Sequence, residues 1–515
     1  MPACIIKNAI ESLARPFVIM WNKSLLTGEI PADLKVGTIT PSYKGGNKCE
    51  PKNYRPVTLT SHIIKLFERV LVKKIVDHLQ GGNLIDNRQH GFRAGRSCLS
   101  QLLTHHQEIV EALCYGWDVD VVYLDYAKAF DKVDHRKLLQ KLGAYKLGGL
   151  MTRWIKAFLE NRSIKVYVNN VFSYPSKVLS GVPQGSVLGP LLFLMYTQDT
   201  TEKISYSSIL YFADDTKLKN RTKSVDDCRR LQQDLDNIYD WANENKMVLN
   251  GEKFKLLRYS VTGEPSDFSY LDSEGSPITP CDNAVDLGVI VSSNAKFNEN
   301  IINIVKKADN RMRWIFRVFR TREPTAMLTL FRALVLPILE YCSQLWHPAE
   351  AGMTQHIEAV QRSFTARING LAHLNYWDRL KHLRLYSLER RRERYIVLYV
   401  YKILSNLCPN LEGSDAIVSY YNVRLGRMCR TPGLIRQARQ KHRSIREQSF
   451  GIVGPVLFNS MPKRLRDYEG SLHGFKGLLD EFLYSLPDEP PMPGYFRPGS
   501  SNRIIEKLRT ERAKR

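Results

Sequence analysis

At 515 residues the chain has room for about three domains, and its 43% hydrophobic and 25% charged content is ordinary for a folded protein. A net charge of +23 is not ordinary: it favours a polyanionic partner, either nucleic acid or an acidic membrane face, over a merely solubilising surface. Membrane insertion is excluded as an expectation, because "GPLLFLMY" and "YIVLYVYKIL" fall well short of the roughly 20 apolar residues a spanning helix needs.

Residues 1–40 read as a helix and a loop punctuated by Gly28, Pro31 and Pro41. "PSYKGGNKCEPKNYRPVTLTS" reads as a polar loop running into a short β-rich piece. "HIIKLFERVLVKKIVDHL" has helical periodicity, with Ile63, Ile64, Phe67, Val70, Leu71 and Ile75 on one face. "DNRQHGFRAGRSCLSQLLTHHQEIVEAL" is a basic loop feeding a helix, and "VDVVYLD" is a β-branched strand ending in Asp125. A helix and a hairpin turning at "NN" follow, then a Gly/Pro loop, "GVPQGS", that opens an apolar helix. "SSILYFADDTKLKN" forms a second hairpin with the acid pair at its bend; an amphipathic helix and the candidate strands "KFKLLRYS" and "AVDLGVIV" complete this half. From about Asn294 the pattern turns helical, which sets a boundary near 293. Residues 421–446 contain Arg and Lys but no Asp or Glu.

Folding alone gains nothing from adjacent carboxylates at a strand tip, since like charges raise each other's pKa. Asp125 taken singly reads equally as a turn former or helix cap, and "ADDT" as a hairpin bend. Together, Asp125 and the Asp214–Asp215 pair suit a hard divalent cation, which prefers a few carboxylates plus substrate phosphate oxygens. Two such ions about 3.5–4 Å apart serve phosphoryl transfer. The nine scattered cysteines, with no C-x-x-C pair, argue against a structural zinc site and for a reducing, intracellular compartment. The N-terminus also lacks a signal peptide's pattern.

Seven ordered blocks carry a resemblance: "PSYKGGNKCEPKNYRPVTLTS", "NRQHGFRAGRSCLSQLL", "LDYAKAFDKVDH", "SGVPQGSVLGPLLF", "YFADDTKL", "MVLNGEKFKLL" and "LGVIV". Over about residues 28–293 the chain resembles reverse transcriptases of non-LTR retrotransposons, most of all the jockey-like group. The resemblance implies an α+β right-hand polymerase: fingers and palm with an antiparallel sheet over 28–293, a helical thumb-like region over 294–400, and a basic C-terminal region over 401–515. It implies an RNA-directed DNA polymerase that extends a primer 3′-hydroxyl with dNTPs on an RNA template, using two Mg²⁺ ions, with Mn²⁺ as a substitute. Asp125, Asp214 and Asp215 fall on the palm carboxylates, with the carbonyl of Tyr126 as a further ligand.

The same resemblance places Phe130 under the sugar as a gate against the 2′-hydroxyl, against the alternative of helix core. Gln184 and Gly185 fall beside the templating pair, and the following helix N-terminus favours anions. Lys44 and Arg55 match triphosphate-holding positions, against the alternative of exposed loop charges. Lys253 matches a proton donor to pyrophosphate, against a solvated lysine; Arg93 and Arg96 suit template-backbone contact. The clusters "RRRER" (390–394) and 421–446 are expected to grip the duplex, whereas Trp314, Phe316 and Trp346 read as core. Elements of this type usually encode an endonuclease upstream, for which the residues before 28 leave no room, and no ribonuclease H pattern is found. The rival readings are a catalytically silent nucleic-acid-binding remnant and a group II intron maturase-like protein. The place of action is intracellular, in the nucleus or cytoplasm; oligomeric state, template preference and target site are not readable.

Overall fold

The computed structural model describes residues 2–411 apart from 264 and 349, together with 417, 435, 444–492 and 502–513. Eleven strands are described: β1 (Val36–Tyr43), β2 (Tyr54–Leu59), β3 (Asp118–Leu124), β4 (Ser163–Val168), β5 (Val171–Phe172), β6 (Ser176–Lys177), β7 (Ser208–Phe212), β8 (Asp215–Thr222), β9 (Lys255–Tyr259), β10 (Asn283–Asp286) and β11 (Val289–Ser292). They build a mixed sheet in the order β2-β1-β4-β5 with β6 also on β4, an antiparallel sheet β7-β8-β3-β9, and the hairpin β10-β11. Beyond β11 the named elements are all helices, so the class is α+β.

The antiparallel sheet positions the acids. Its inner strand β3 is covered on both faces, which explains why "VDVVYL" reads as a nearly continuous apolar run. The helix Val225–Glu244 brings Leu231, Leu235 and Ile238 against Val122 and Leu124. On the other face the helix Cys98–Cys114 brings Ile109, Ala112 and Leu113 against Val119 and Val121. Burying each such Val, Leu or Ile stabilises the fold by about 1.5–3 kcal/mol. Both helices begin with a capping box: Ser97 with Ser100, and Ser224 with Asp227.

Several sequence expectations hold, and others shift for identifiable reasons. The "NN" turn is present, with Asn169 and Asn170 at φ 49° and 64°, the left-handed pair that a two-residue hairpin uses. "AVDLGVIV" is two strands, because Leu287 and Gly288 (φ 46° and 84°) bend it into the β10-β11 hairpin. The polar 41–61 segment contains the end of β1 and all of β2, with Pro41 opposite Pro56. Prolines are tolerated there because β4 pairs only with Val36–Ile39 of β1, and β2 is an edge strand. In the helix His62–Gly81, Ile64, Phe67, Leu71 and Ile75 are buried as read, but Val70 is 56% exposed, on the flank of the stripe.

The helical half shares one core, in which Ile304, Phe331, Leu339, Phe364, Tyr401 and Phe475 meet. Leu102 and Leu103 of the helix Cys98–Cys114 join that core, so this helix packs against both the sheet and the bundle. Trp346 is buried and Phe316 packs on the core as expected; Trp314 is at the surface edge. The "RRRER" expectation is corrected. Arg390 and Arg392 are buried within the helix Leu388–Leu404, Arg391 pairs with Glu340, and Arg394 pairs with Asp480. Arg390 donates to the Pro487 carbonyl, and Glu358, Glu389 and Glu393 act electrostatically on Arg392. A buried or paired cation of this kind is not available to a phosphate backbone. Of the 421–446 cluster, all but residues 435 and 444–446 lie outside the described residues.

Candidate active site

Asp125 follows the last residue of β3, and Asp215 opens β8. In the antiparallel register Leu124 faces Thr216, so one step further along the ladder Asp125 comes level with Asp215. On the other side of β8, Phe212 of β7 pairs with Asp215, leaving Ala213 and Asp214 as a two-residue bend. Asp125 and the Asp214–Asp215 pair, distant in sequence, thus gather at one end of one sheet. Ala213 takes φ 59°, a left-handed conformation usually left to glycine at the first position of such a bend.

The acids feel each other. Asp214 is raised from its ordinary value by desolvation and by Asp125, against lowering by Arg55 and Lys44. Asp215 is raised to about 6 by desolvation, then by Asp214 and Asp286, with Lys217 opposing and Asp125 adding a smaller push. Lys217 is itself engaged with Asp286 in a buried ion pair. Asp125 accepts from the Lys253 ammonium at 2.8 Å, while its backbone carbonyl accepts from Asn250 N at 2.9 Å. Tyr126 is buried and bridges to Leu249 in an antiparallel pair.

This donor set fits a hard divalent cation. It offers only carboxylate oxygens, two of them held above their ordinary pKa first by desolvation and then by neighbouring acids, a cost that a bound cation would offset. Among the described residues no group of three His, Cys, Asp or Glu forms a ready cage. A cation bound here therefore completes its shell with water or substrate oxygens, as Mg²⁺ prefers.

The remaining sequence candidates distribute around this end of the sheet. Lys44 and Arg55 are exposed on the β1-β2 hairpin, and both act electrostatically on Asp214. Gln184 donates from Nε2 to Asp131 at 3.0 Å, and its carbonyl accepts from Thr58 N at 2.7 Å. Gly185 sits at φ 120°, and a Cβ there would lie 2.5 Å from the Thr58 carbonyl oxygen, so only glycine lets this loop close on β2. Phe130 is half-buried, stacked on Phe193 with centroids 4.5 Å apart and edge-on to Phe92 at 6.1 Å. The gate and core readings are thus both compatible with its place.

Arg93 donates to the Asp86 carbonyl at 2.6 Å, and Arg96 to the Asn87 carbonyl at 2.7 Å, so each guanidinium braces its own loop. The N-terminus of the helix Gly189–Thr197 is taken by a protein anion. Glu68 Oε2, on a fully buried side chain, accepts from Val187 N at 2.6 Å and Leu188 N at 2.8 Å. Sequence reading missed Glu68, Gln89 and Asp131. The one available signal was Glu68, an acid set inside the apolar stripe of an amphipathic helix.

Residues 43–274 match the family described as "Reverse transcriptase (RNA-dependent DNA polymerase)". Among individual relatives, the chain is 27% identical over 388 residues to the "Probable RNA-directed DNA polymerase from transposon X-element" of Drosophila melanogaster, covering 71% of this chain and 42% of that one. It is 26% identical over 365 residues to the "RNA-directed DNA polymerase from mobile element jockey" of Drosophila funebris, covering 68% and 40%. The chain thus spans about two fifths of the length of the curated relatives it matches. Among solved structures, apo telomerase from Candida tropicalis aligns at a TM-score of 0.38 and 9% identity, over 77% of this chain and 67% of that one, and at that level it carries no weight.

Proposed function

We propose that the chain is an RNA-directed DNA polymerase of a non-LTR retrotransposon. It would extend a primer 3′-hydroxyl with dNTPs on an RNA template, inside the cell, in the nucleus or cytoplasm. The observation that carries this reading is the meeting of Asp125, Asp214 and Asp215 at one end of the antiparallel sheet, within the segment 43–274 that matches the reverse-transcriptase family. In this reading residues 28–293 are fingers and palm of a right-hand polymerase, 294–400 the thumb, and 401–515 a basic extension. No helix among the described residues is long and apolar enough to cross a membrane.

In the reaction the primer oxygen bonds to the α-phosphorus, the α–β bridging bond breaks, and the hydroxyl proton departs while pyrophosphate gains one. Two Mg²⁺ ions, replaceable by Mn²⁺, would be held by Asp125, Asp214, Asp215 and the carbonyl of Tyr126, and would supply charge neutralisation and a more acidic hydroxyl. Lys44 and Arg55 hold the triphosphate from the fingers side, where their charge already bears on Asp214. Gln184 and Gly185 form the shelf for the templating pair, Phe130 lies under the deoxyribose, and Lys253 gives the proton to pyrophosphate.

The test is primer extension by the purified chain on an RNA template with Mg²⁺ and dNTPs. Incorporation is expected, and Asp214→Asn should abolish it while template binding persists at low salt. Binding without incorporation in the unmutated chain would favour a catalytically silent remnant.

A further inference from the structure

The bend that carries Asp214 is held from outside the sheet. Gln89 lies in the loop ahead of the helix Cys98–Cys114, 124 residues away in sequence, and is 4% exposed. Its Oε1 accepts from Ala213 N at 3.1 Å and from Gly91 N at 2.8 Å. Residues 88–90 run parallel to the free edge of β7: Tyr211 N donates to the Arg88 carbonyl at 3.0 Å, and His90 N donates to the Tyr211 carbonyl at 2.9 Å. Gly91 presses on the same bend. A Cβ there would stand 2.4 Å from Ala213 N and 3.0 Å from the Phe212 carbonyl carbon.

The loop is in turn rigid. Arg88 bonds Asp86, Arg93 reaches the carbonyls of Asp86 and Gln89, and Arg96 reaches Asn87 and His90. His90 Nδ1 is 2.8 Å from Ser100 Oγ. A left-handed Ala213 is a sparsely populated state that persists only when its surroundings impose it. The amide N–H that follows Phe212 is fixed by one side-chain acceptor, and the direction of Asp214 follows from that amide's plane.

We propose that Gln89 is a positioning residue for Asp214: its side-chain carbonyl holds the Ala213 bend in the geometry that presents the Asp214 carboxylate to a divalent cation, with Arg93 and Arg96 bracing the loop from behind. The proposal deepens the polymerase reading and rests on it. It gives the two arginines a role that needs no template.

The test compares Gln89→Met, of similar size but without the acceptor, with Gln89→Glu, which keeps an acceptor oxygen. Mn²⁺ binding by the full chain is read by electron paramagnetic resonance, beside thermal melting and RNA template affinity. Gln89→Met is expected to weaken Mn²⁺ binding about 10-fold with melting and template affinity nearly unchanged, and Gln89→Glu to restore most of it. Gly91→Ala, which pushes the bend from the other side, should resemble Gln89→Met. Unchanged Mn²⁺ binding in Gln89→Met overturns the proposal. So does an equal loss in both Gln89 variants accompanied by a lowered melting temperature, which marks a merely structural role. Mn²⁺ binding no better in the unmutated chain than in Asp214→Asn overturns it together with the polymerase reading, whereas Mn²⁺ binding without incorporation counts against the polymerase reading alone.

Discussion

The Lys253 ammonium stands 2.8 Å from the Asp125 carboxylate, at the end of the sheet where Asp214 and Asp215 also lie. One cation of the protein's own thus occupies an acid assigned to a metal. Lys253 is mostly exposed, so the pair is weak and readily exchanged. In the proposed reaction the lysine would leave Asp125 when a stronger cation arrives and turn toward the leaving phosphates.

Lys253→Gln should therefore change two quantities in opposite directions. The Mg²⁺ concentration for half-maximal incorporation should fall, because competition at Asp125 is removed, while the maximal rate falls about 100-fold with loss of the proton donor. Metal titrations of primer extension separate the two. A fall in rate with no change in metal requirement would leave Lys253 a donor but not a competitor.

The acid pair sets a pH dependence. An unfolded chain releases the Asp215 proton near the ordinary 3.8, and the folded chain near 6. Between these values the folded state holds the extra proton, so the contribution of Asp215 to stability is full below about 4 and declines as pH rises through 6. Relative to Asp215→Asn, the metal-free chain should lose melting temperature over that window, and saturating Mg²⁺ should cancel the loss. Melting scans in chelator and in Mg²⁺ at several pH values measure both.

Phe130 tests sugar selection. Phe130→Val removes the ring stacked on Phe193 and should raise ribonucleotide incorporation relative to deoxyribonucleotide by about 10–100-fold. The readout is the ratio of kcat/KM for the two triphosphates. An unchanged ratio with lowered stability would assign the ring to packing alone.

The buried arginines make a prediction about stability. Arg392→Met leaves Glu358, Glu389 and Glu393, which all act on its guanidinium, short of a counter-charge. It should cost about 3–5 kcal/mol, as expected when one partner of a buried ion network is removed. Denaturant unfolding measures the loss. RNA affinity of the remaining folded protein should keep its salt dependence; a shallower salt slope would return this arginine to the nucleic-acid surface.

Much of this arrangement was readable in the chain, and the boundary of readability is physical. Strand β3 and the bend after β7 announce themselves through local pattern, and the acids at their ends have no use in folding. The two-residue turn at Asn169–Asn170 is equally local. By contrast, Gln89 and Ala213 are joined across 124 residues, and Glu68 and Leu188 across 120. No periodicity records such a bond, because it depends on where the fold brings a backbone N–H. "RRRER" misled for the same reason: the partners of Arg394 and Arg390 lie 86 and 97 residues further on, at Asp480 and the Pro487 carbonyl. An arginine-rich run, even with Glu389 and Glu393 in it, looks like a nucleic-acid grip until the chain returns to cover it.

That return bears on how the molecule can be divided. Glu393 accepts from Ile504 N, Asn502 donates to Ser387 and Asp488, and Arg390 donates to the Pro487 carbonyl. The final helices therefore work as a plug for charges stranded on Leu388–Leu404, and a proteolytic clip that released them would uncover ions with no counterpart. The described parts 444–492 and 502–513 should therefore unfold together with the bundle, as a single cooperative unit.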